Sequence, residues 1–218
     1  MKRIFDLAFG ILTLVILTIP MLFIFIIIRL TSKGSGFHWS KRIGKNNIIF
    51  KMPKFRTMFV GSPDLATHLL ADADSYISPI GRLLRATSFD EFPQLFSVLK
   101  GDMSFVGPRP LMSISFETYT KDVQKVIYNV KPGLTGIGSI VFRDEEQLMT
   151  EVKLKGEDTW AFYSNKIYPF KGELELWYQK NRSFFVDLKL IVLTTWVILS
   201  PSSQTIYVWF KDLPTRSF

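Results

Sequence analysis

Residues 7–28 read LAFGILTLVILTIPMLFIFIII, 22 residues without one charged side chain. As a helix the stretch would be ~33 Å long, about the thickness of one bilayer core. The run is too long for a secretory signal, and no small-residue cleavage site follows it. Two membrane forms fit: a helix that spans, or one that enters, turns and leaves by the same face. Pro20 removes a backbone hydrogen bond near the middle and kinks the helix, and Thr18 can return a bond to a freed carbonyl. Lys2 and Arg3 precede the run, and Arg29 and Lys33 follow it. The positive-inside tendency is met at both ends only if both are cytoplasmic, which favours the re-entrant form, although proline is also common in spanning helices.

The rest of the 218-residue chain has the composition of a protein that works at a membrane. Hydrophobic residues make up 47% and aromatics 15%, with 20 Phe. Lys and Arg outnumber Asp and Glu by 27 to 19, a formal net charge of +8. A basic, Phe-rich chain suits an anionic cytoplasmic membrane face better than free solution, while nucleic acid is the usual rival partner. There are no cysteines, which excludes disulfides, thiolate metal sites and cysteine nucleophiles.

Beyond the membrane segment the pattern is that of one α+β, mainly helical domain. Residues 31–60 predict a small β-rich entry containing IIFKM (48–52) and the basic KFRTM (54–58). Residues 61–79 are polar and read as a loop around a short helix. Two helical patterns follow, IGRLLRA and FPQLFSVLK, then an amphipathic helix over 111–129 and a Gly-rich turn KPGLTG (131–136). Mixed helix with aromatic faces covers 144–182. LKLIVLTTWVIL (188–199) is too short to span comfortably and fits either a buried core helix or one lying in the interface. His38 and His68 have no metal-ligand spacing and read as structural.

SFDEFPQLFSVLKGDMSFVGPRP (88–110) holds the candidate chemistry. With Asp90 as N-cap and Pro93 in the first turn, Phe92, Leu95, Phe96 and Leu99 would form one apolar stripe and Gly101 would end the helix. That explains the segment without function. The same geometry also suits a phosphate, because a helix start carries partial positive charge and unpaired N–H groups. Adjacent carboxylates can divide labour, one attacking phosphorus and the other holding a divalent cation. Mg²⁺ takes one or two carboxylates plus substrate phosphate. Arg85 and the proline-flanked Arg109 could clamp phosphate oxygens, with Lys54 and Arg56 adding positive charge. Gly133, Thr135, Gly136 and Gly138 offer backbone that can approach a ligand. No GKS or GKT follows, so a Walker-type nucleotide loop is not indicated, and no GxSxG, HExxH or Rossmann fingerprint occurs.

Taken together, KRIFDL (2–7), the Pro-broken apolar segment, KFRTM (54–58), GRLLRATSFDEFPQLFSVLKGDMSFVGPRP (81–110), KPGLTG (131–136) and SFFVDLKL (183–190) resemble the bacterial sugar transferase family of monotopic phosphoglycosyl transferases. The resemblance covers most of the chain. It implies a re-entrant helix over 1–30, a cytoplasmic interface-bound catalytic domain over 31–218 with interfacial amphipathic helices, and the cytoplasmic face of a bacterial inner membrane. The implied reaction moves a phosphosugar from a UDP-sugar to polyprenyl (undecaprenyl) phosphate, with release of UMP. It further implies Asp90 as covalent nucleophile, Glu91 as its neighbour in a Mg²⁺ site, Arg85 and Arg109 as phosphate-binding residues, and Asp187 as another functional acid. UDP-sugar, polyprenyl phosphate and membrane lipid are the implied partners, with no nucleic acid and with self-association left open. A membrane-anchored scaffold binding anionic lipid or nucleic acid is the alternative, but it leaves GPRP and KPGLTG unexplained. The chain departs from the family in having Ile19-Pro20 where Ser-Pro is common, Ser40 for a Gln, and GIGSIVFRD (136–144) after the GLTG turn.

Overall fold

The computed structural model of the chain describes residues 1–63, 73–200 and 204–218, apart from the side chains of Ala73 and Asp74. Residues 64–72 of the 61–79 loop, with His68, lie outside the described residues. In chain order the elements are α1 (Lys2–Thr31), β1 (Phe37–Ile43), β2 (Ile49–Phe55), α2 (Ala73–Tyr76), α3 (Pro79–Ala86), α4 (Gln94–Lys100) and β3 (Ser104–Val106). They continue with α5 (Ser113–Glu117), α6 (Lys121–Val126), β4 (Gly133–Thr135), α7 (Ile137–Val141), α8 (Glu145–Leu154), α9 (Thr159–Phe162), α10 (Tyr168–Asn181), α11 (Phe184–Leu199) and α12 (Thr205–Trp209). The class is the expected mainly helical α+β. The contacts divide the chain into Met1–Arg42 with Ile49–Met103, and Ile43–Ile48 with Ser104–Phe218.

In the first unit, α1 is long and apolar enough to cross a membrane and runs on through Pro20. The carbonyl that Pro20 leaves without its helical partner is that of Ile16, four residues back. The Thr18 hydroxyl donates instead to Leu14 O at 2.7 Å, so it does not make the repair expected of it. The buried residues of α1 are Asp6, Gly10, Met21 and Ile28. Their separations fall close to whole helical turns, so one stripe faces the protein along the length of the helix. Met21 and Ile28 join Phe55 of β2 and Leu84 of α3 in one core, with Phe37 and Phe92 packed against it. At the other end, the Arg3 guanidinium donates to the carbonyls of Val98 and Leu99, at 2.6 and 2.8 Å. These carbonyls belong to the last turn of α4, where the Val98 carbonyl also accepts from the capping Gly101 amide at 3.1 Å.

β1 and β2 form a two-stranded sheet whose five-residue connection requires a hairpin. α3 begins where the sequence suggests, with Pro79 in the first turn and Ser78 Oγ accepting from Gly81 N at 3.1 Å. Gly81 is bare because a Cβ there would run into the Thr57 carbonyl. α4 ends as expected at Gly101, at φ 100°. Its start and face differ from expectation. Asp90 lies in a separate 3₁₀ turn (Phe89–Glu91), and Pro93 precedes the helix proper. Phe96 is 45% exposed while Gln94, Leu95, Ser97 and Val98 are buried. The carbonyl of Ser97 accepts from the amides of Gly101, Asp102 and Met103, which closes the end of the helix.

In the second unit, β3 pairs in parallel with β4, Ser104 opposite Gly133 and Val106 opposite Thr135. The pair therefore joins the GPRP segment to KPGLTG. A Cβ on Gly133 would meet the Gly107 amide, and one on Gly136 the Gly107 carbonyl, so these glycines allow two backbones to touch. The expected helix over 111–129 is two short ones, since Thr120 caps α6 through Val123 N at 3.5 Å. α11 buries Asp187, Leu190, Leu193 and Val197 on one side and exposes Phe185, Val192, Trp196, Ile198 and Leu199. It thus contributes to the core along one face and leaves a second apolar face uncovered.

Candidate active site

The acid pair of the first unit sits on a strained turn. Ser88 adopts φ 59°, a left-handed conformation uncommon outside glycine, and the chain then closes through Glu91 N to Ser88 O at 3.2 Å. Phe89 and Phe92 bracket the acids, their rings 4.7 Å apart, and Phe92 ties the turn to the core that contains Met21 and Phe55. Asp90 is buried at 7% exposure. Lys54, delivered by β2 between the buried Pro53 and Phe55, reaches both acids: its Nζ lies 2.7 Å from Glu91 Oε1 and 3.6 Å from Asp90 Oδ2. Arg85 is in the same unit. Its Nε donates to Thr57 Oγ1 at 2.9 Å, and its carbonyl receives the Ser88 amide. The last turn of α3 thereby holds the residue whose conformation presents the acids.

Arg56 goes elsewhere. Its Nη2 donates to Ser32 Oγ at 2.7 Å and to Ser32 O at 3.3 Å, at the C-terminal end of α1. Burial, and then the charge of Arg29, lower this guanidinium from its ordinary value. Arg56 therefore closes the end of α1, while Lys54, two residues earlier, reaches the acids.

The remaining candidates belong to the second unit. Thr135 Oγ1 lies 2.6 Å from Thr194 Oγ1, which ties β4 to α11. Asp187 is buried in the first turn of α11 and accepts from the Tyr178 hydroxyl at 2.8 Å. Arg109 is close enough to the α8–α10 charges for its guanidinium to help lower the Glu145 carboxyl.

That charge cluster as a whole has no signal in the sequence. The Lys171 ammonium donates to Glu145 Oε2 at 2.6 Å and to the Tyr163 hydroxyl at 3.0 Å, and the same hydroxyl bonds Glu145 Oε1. Burial pushes Glu145 upward, but the charge and hydrogen bond of Lys171 outweigh it, so the carboxyl ends below its ordinary value. Burial likewise lowers the Lys171 ammonium, with Glu145 acting in the opposite sense. Glu175 is 4% exposed, and burial pushes its carboxyl up to about 8 despite Lys171. Its Oε2 has no hydrogen-bond partner. The i, i+4 spacing of Lys171 and Glu175 is readable on a helix, whereas the approach of Glu145 comes only from the fold.

The Asp90–Glu91 pair offers two adjacent hard-oxygen groups beside a cation. That donor set fits a Mg²⁺ ion that fills its remaining positions with water and phosphate oxygens. Among the described residues no group of three or more acidic or histidine side chains could cage a metal by itself.

The sequence profile described as bacterial sugar transferase matches residues 1–201. The uncharacterized sugar transferase EpsL of Bacillus subtilis is 36% identical over 199 residues, spanning 91% of this chain and 87% of its own. The undecaprenyl-phosphate galactose phosphotransferase of Salmonella typhimurium is 31% identical over 91% of this chain, but over 40% of its own length. The UDP-N-acetylgalactosamine-undecaprenyl-phosphate N-acetylgalactosaminephosphotransferase of Aeromonas hydrophila is 28% identical over 91% of this chain and 44% of its own. The chain thus covers less than half the length of these last two relatives. With a profile match over nearly all of its length, and a relative of similar size matched almost end to end, this chain belongs to the bacterial sugar transferase family.

Proposed function

We propose that the chain is a phosphoglycosyl transferase that moves a phosphosugar from a UDP-sugar to polyprenyl phosphate at the cytoplasmic face of the bacterial inner membrane. The observation that carries this reading is the acid pair itself, presented on a strained turn, bridged by Lys54 and built into the same unit as an apolar membrane helix. The Asp90 carboxylate attacks the β-phosphorus of the UDP-sugar; an Asp–O–P bond forms, the bond to the UMP oxygen breaks, and UMP leaves. An oxygen of polyprenyl phosphate then attacks the same phosphorus. The aspartyl bond breaks, giving polyprenyl diphospho-sugar and the free carboxylate. Splitting the transfer in two lets a soluble donor and a membrane-bound acceptor use one site in turn.

Lys54 offsets charge that the acids and the phosphoryl oxygens bring together, and Arg85 and Arg109 are the further cations assigned to phosphate. Mg²⁺, held by Asp90 and Glu91, would supply additional neutralisation of phosphate charge.

The re-entrant topology is supported by how α1 is tethered. Arg3 at its start and Ile28 near its end both engage the same folded unit. A spanning helix so tied would draw Lys54, Asp90 and Glu91 into hydrocarbon, at a cost of several kcal/mol per unpaired charge. The exposed apolar side of α11 suits the membrane interface.

The test is to incubate the detergent-solubilised chain with Mg²⁺ and a panel of UDP-sugars. UMP release and a phosphosugar adduct on Asp90 by mass spectrometry are expected. Near wild-type product from Asp90→Asn would remove Asp90 as nucleophile.

A further inference from the structure

Pro110 has no N–H and a fixed φ, so the backbone after Arg109 lacks a donor just where the GPRP segment turns. Tyr128 bridges the gap. Its hydroxyl donates to the Arg109 carbonyl at 2.7 Å and accepts from the Leu111 amide at 2.9 Å, one bond on each side of Pro110. The tyrosine is itself immobilised: it is 1% exposed, its ring stacks on Phe116 with centroids 5.8 Å apart, and its carbonyl receives the Asn46 amide at 2.8 Å. On the other side of Arg109, the Pro108 carbonyl accepts from Gly133 N at 2.9 Å. Arg109 is therefore held at both flanks by buried groups that belong to neither GPRP nor its surface.

We propose that Tyr128 is a positioning residue for Arg109: its hydroxyl clamps the backbone across Pro110 and so sets where the guanidinium meets a phosphate. This rests on the reading of Arg109 as phosphate-binding. Phenylalanine at 128 would keep the ring packing but leave the Arg109 carbonyl and the Leu111 amide without their partner. The guanidinium would then lose the alignment that makes charge-assisted contacts effective.

A double-mutant cycle on the full chain in detergent tests this, with UDP binding in the presence of Mg²⁺ as readout, because UDP carries the diphosphate whatever the sugar. Arg109→Ala should weaken UDP roughly tenfold or more, and Tyr128→Phe by about three- to tenfold. The double variant should bind no more weakly than Arg109→Ala alone, since the clamp acts only through that arginine. Phe116→Leu, which disturbs the ring stack and leaves the hydroxyl, should stay within about twofold of wild type and add independently. Wild-type UDP affinity in Tyr128→Phe, or full additivity with Arg109→Ala, overturns the proposal while Arg109 keeps its phosphate role. Unchanged binding in Arg109→Ala overturns both. Amide exchange in the wild-type chain gives a check that needs no variant: the Leu111 N–H should be strongly protected, and rapid exchange there rules the clamp out.

Discussion

Each unit of this chain carries a lysine between acids, and the two clusters are built for different ends. In the first, Lys54 reaches Glu91 at 2.7 Å and Asp90 at 3.6 Å, on a turn held in a left-handed conformation at Ser88. In the second, Lys171 reaches Glu145 at 2.6 Å, with a tyrosine hydroxyl completing the network and Glu175 buried beneath it. Backbone strain is retained only where surrounding structure enforces it, and it concentrates at sites of chemistry. The Glu145–Tyr163–Lys171 network lies in regular helices and the π turn at Tyr163–Ile167, where its hydrogen bonds lock α8 against α10. Similar charges thus stand on a strained turn in one place, where we propose the chemistry, and between regular helices in the other, where they serve packing.

The sharpest way to break this contrast is to neutralise one acid in each cluster. Asp90→Asn should lower UMP release by at least about 10³-fold, because it removes the proposed nucleophile. Glu145→Gln should cost less than about tenfold in the same assay. Equal losses would show that both clusters take part in the chemistry.

The lysines give the next largest difference. Lys54→Met should reduce turnover by roughly 10- to 100-fold with little change in melting temperature, since it removes charge stabilisation at the reacting centre. Lys171→Met should do the reverse, keeping turnover of the folded fraction while destabilising the protein by about 2 kcal/mol, the cost of leaving a half-buried carboxylate without its partner. Thermal melts and initial rates on the same preparations separate the two.

The smallest effect is a pH slope from Glu175. Its folded carboxyl titrates at about 8 against an ordinary value of 4.5, so between those values the folded state holds a proton that the unfolded chain has released. The stability this group contributes is therefore greatest at and below about pH 4.5, and it falls as pH rises toward 8. Glu175→Gln should flatten the fall in melting temperature over this window. A slope identical in wild type and variant would assign it to other groups.

Much of the first unit is legible from local pattern. The apolar run of α1, the Pro79 start of α3 and the Gly101 end of α4 all follow from the covalent properties of the residues concerned. The inward face of α4 does not. A stripe of Phe92, Leu95, Phe96 and Leu99 is the natural periodic reading, yet Phe96 is exposed and Gln94 and Ser97 are buried, because α1 and β2 pack against α4. The break at Thr120 had a readable N-cap, but the amphipathic pattern across it is continuous enough to hide it. The glycines of KPGLTG were legible as points of close approach. That the approaching group is the Gly107 backbone rather than a ligand follows only from the β3–β4 pairing.

By itself, the sequence determined the long apolar helix, the mainly helical class and the motifs that place the chain in its family. Each of these depends on the transfer of side chains out of water or on backbone rules that act within a few residues. The tertiary structure alone decided which charges meet: Lys54 and Glu91 are 37 residues apart, Lys171 and Glu145 are 26 apart, and Tyr128 lies 19 from Arg109. A carboxyl is the same group wherever it stands in the chain, and its charge, partner and chemistry depend on what the fold brings beside it.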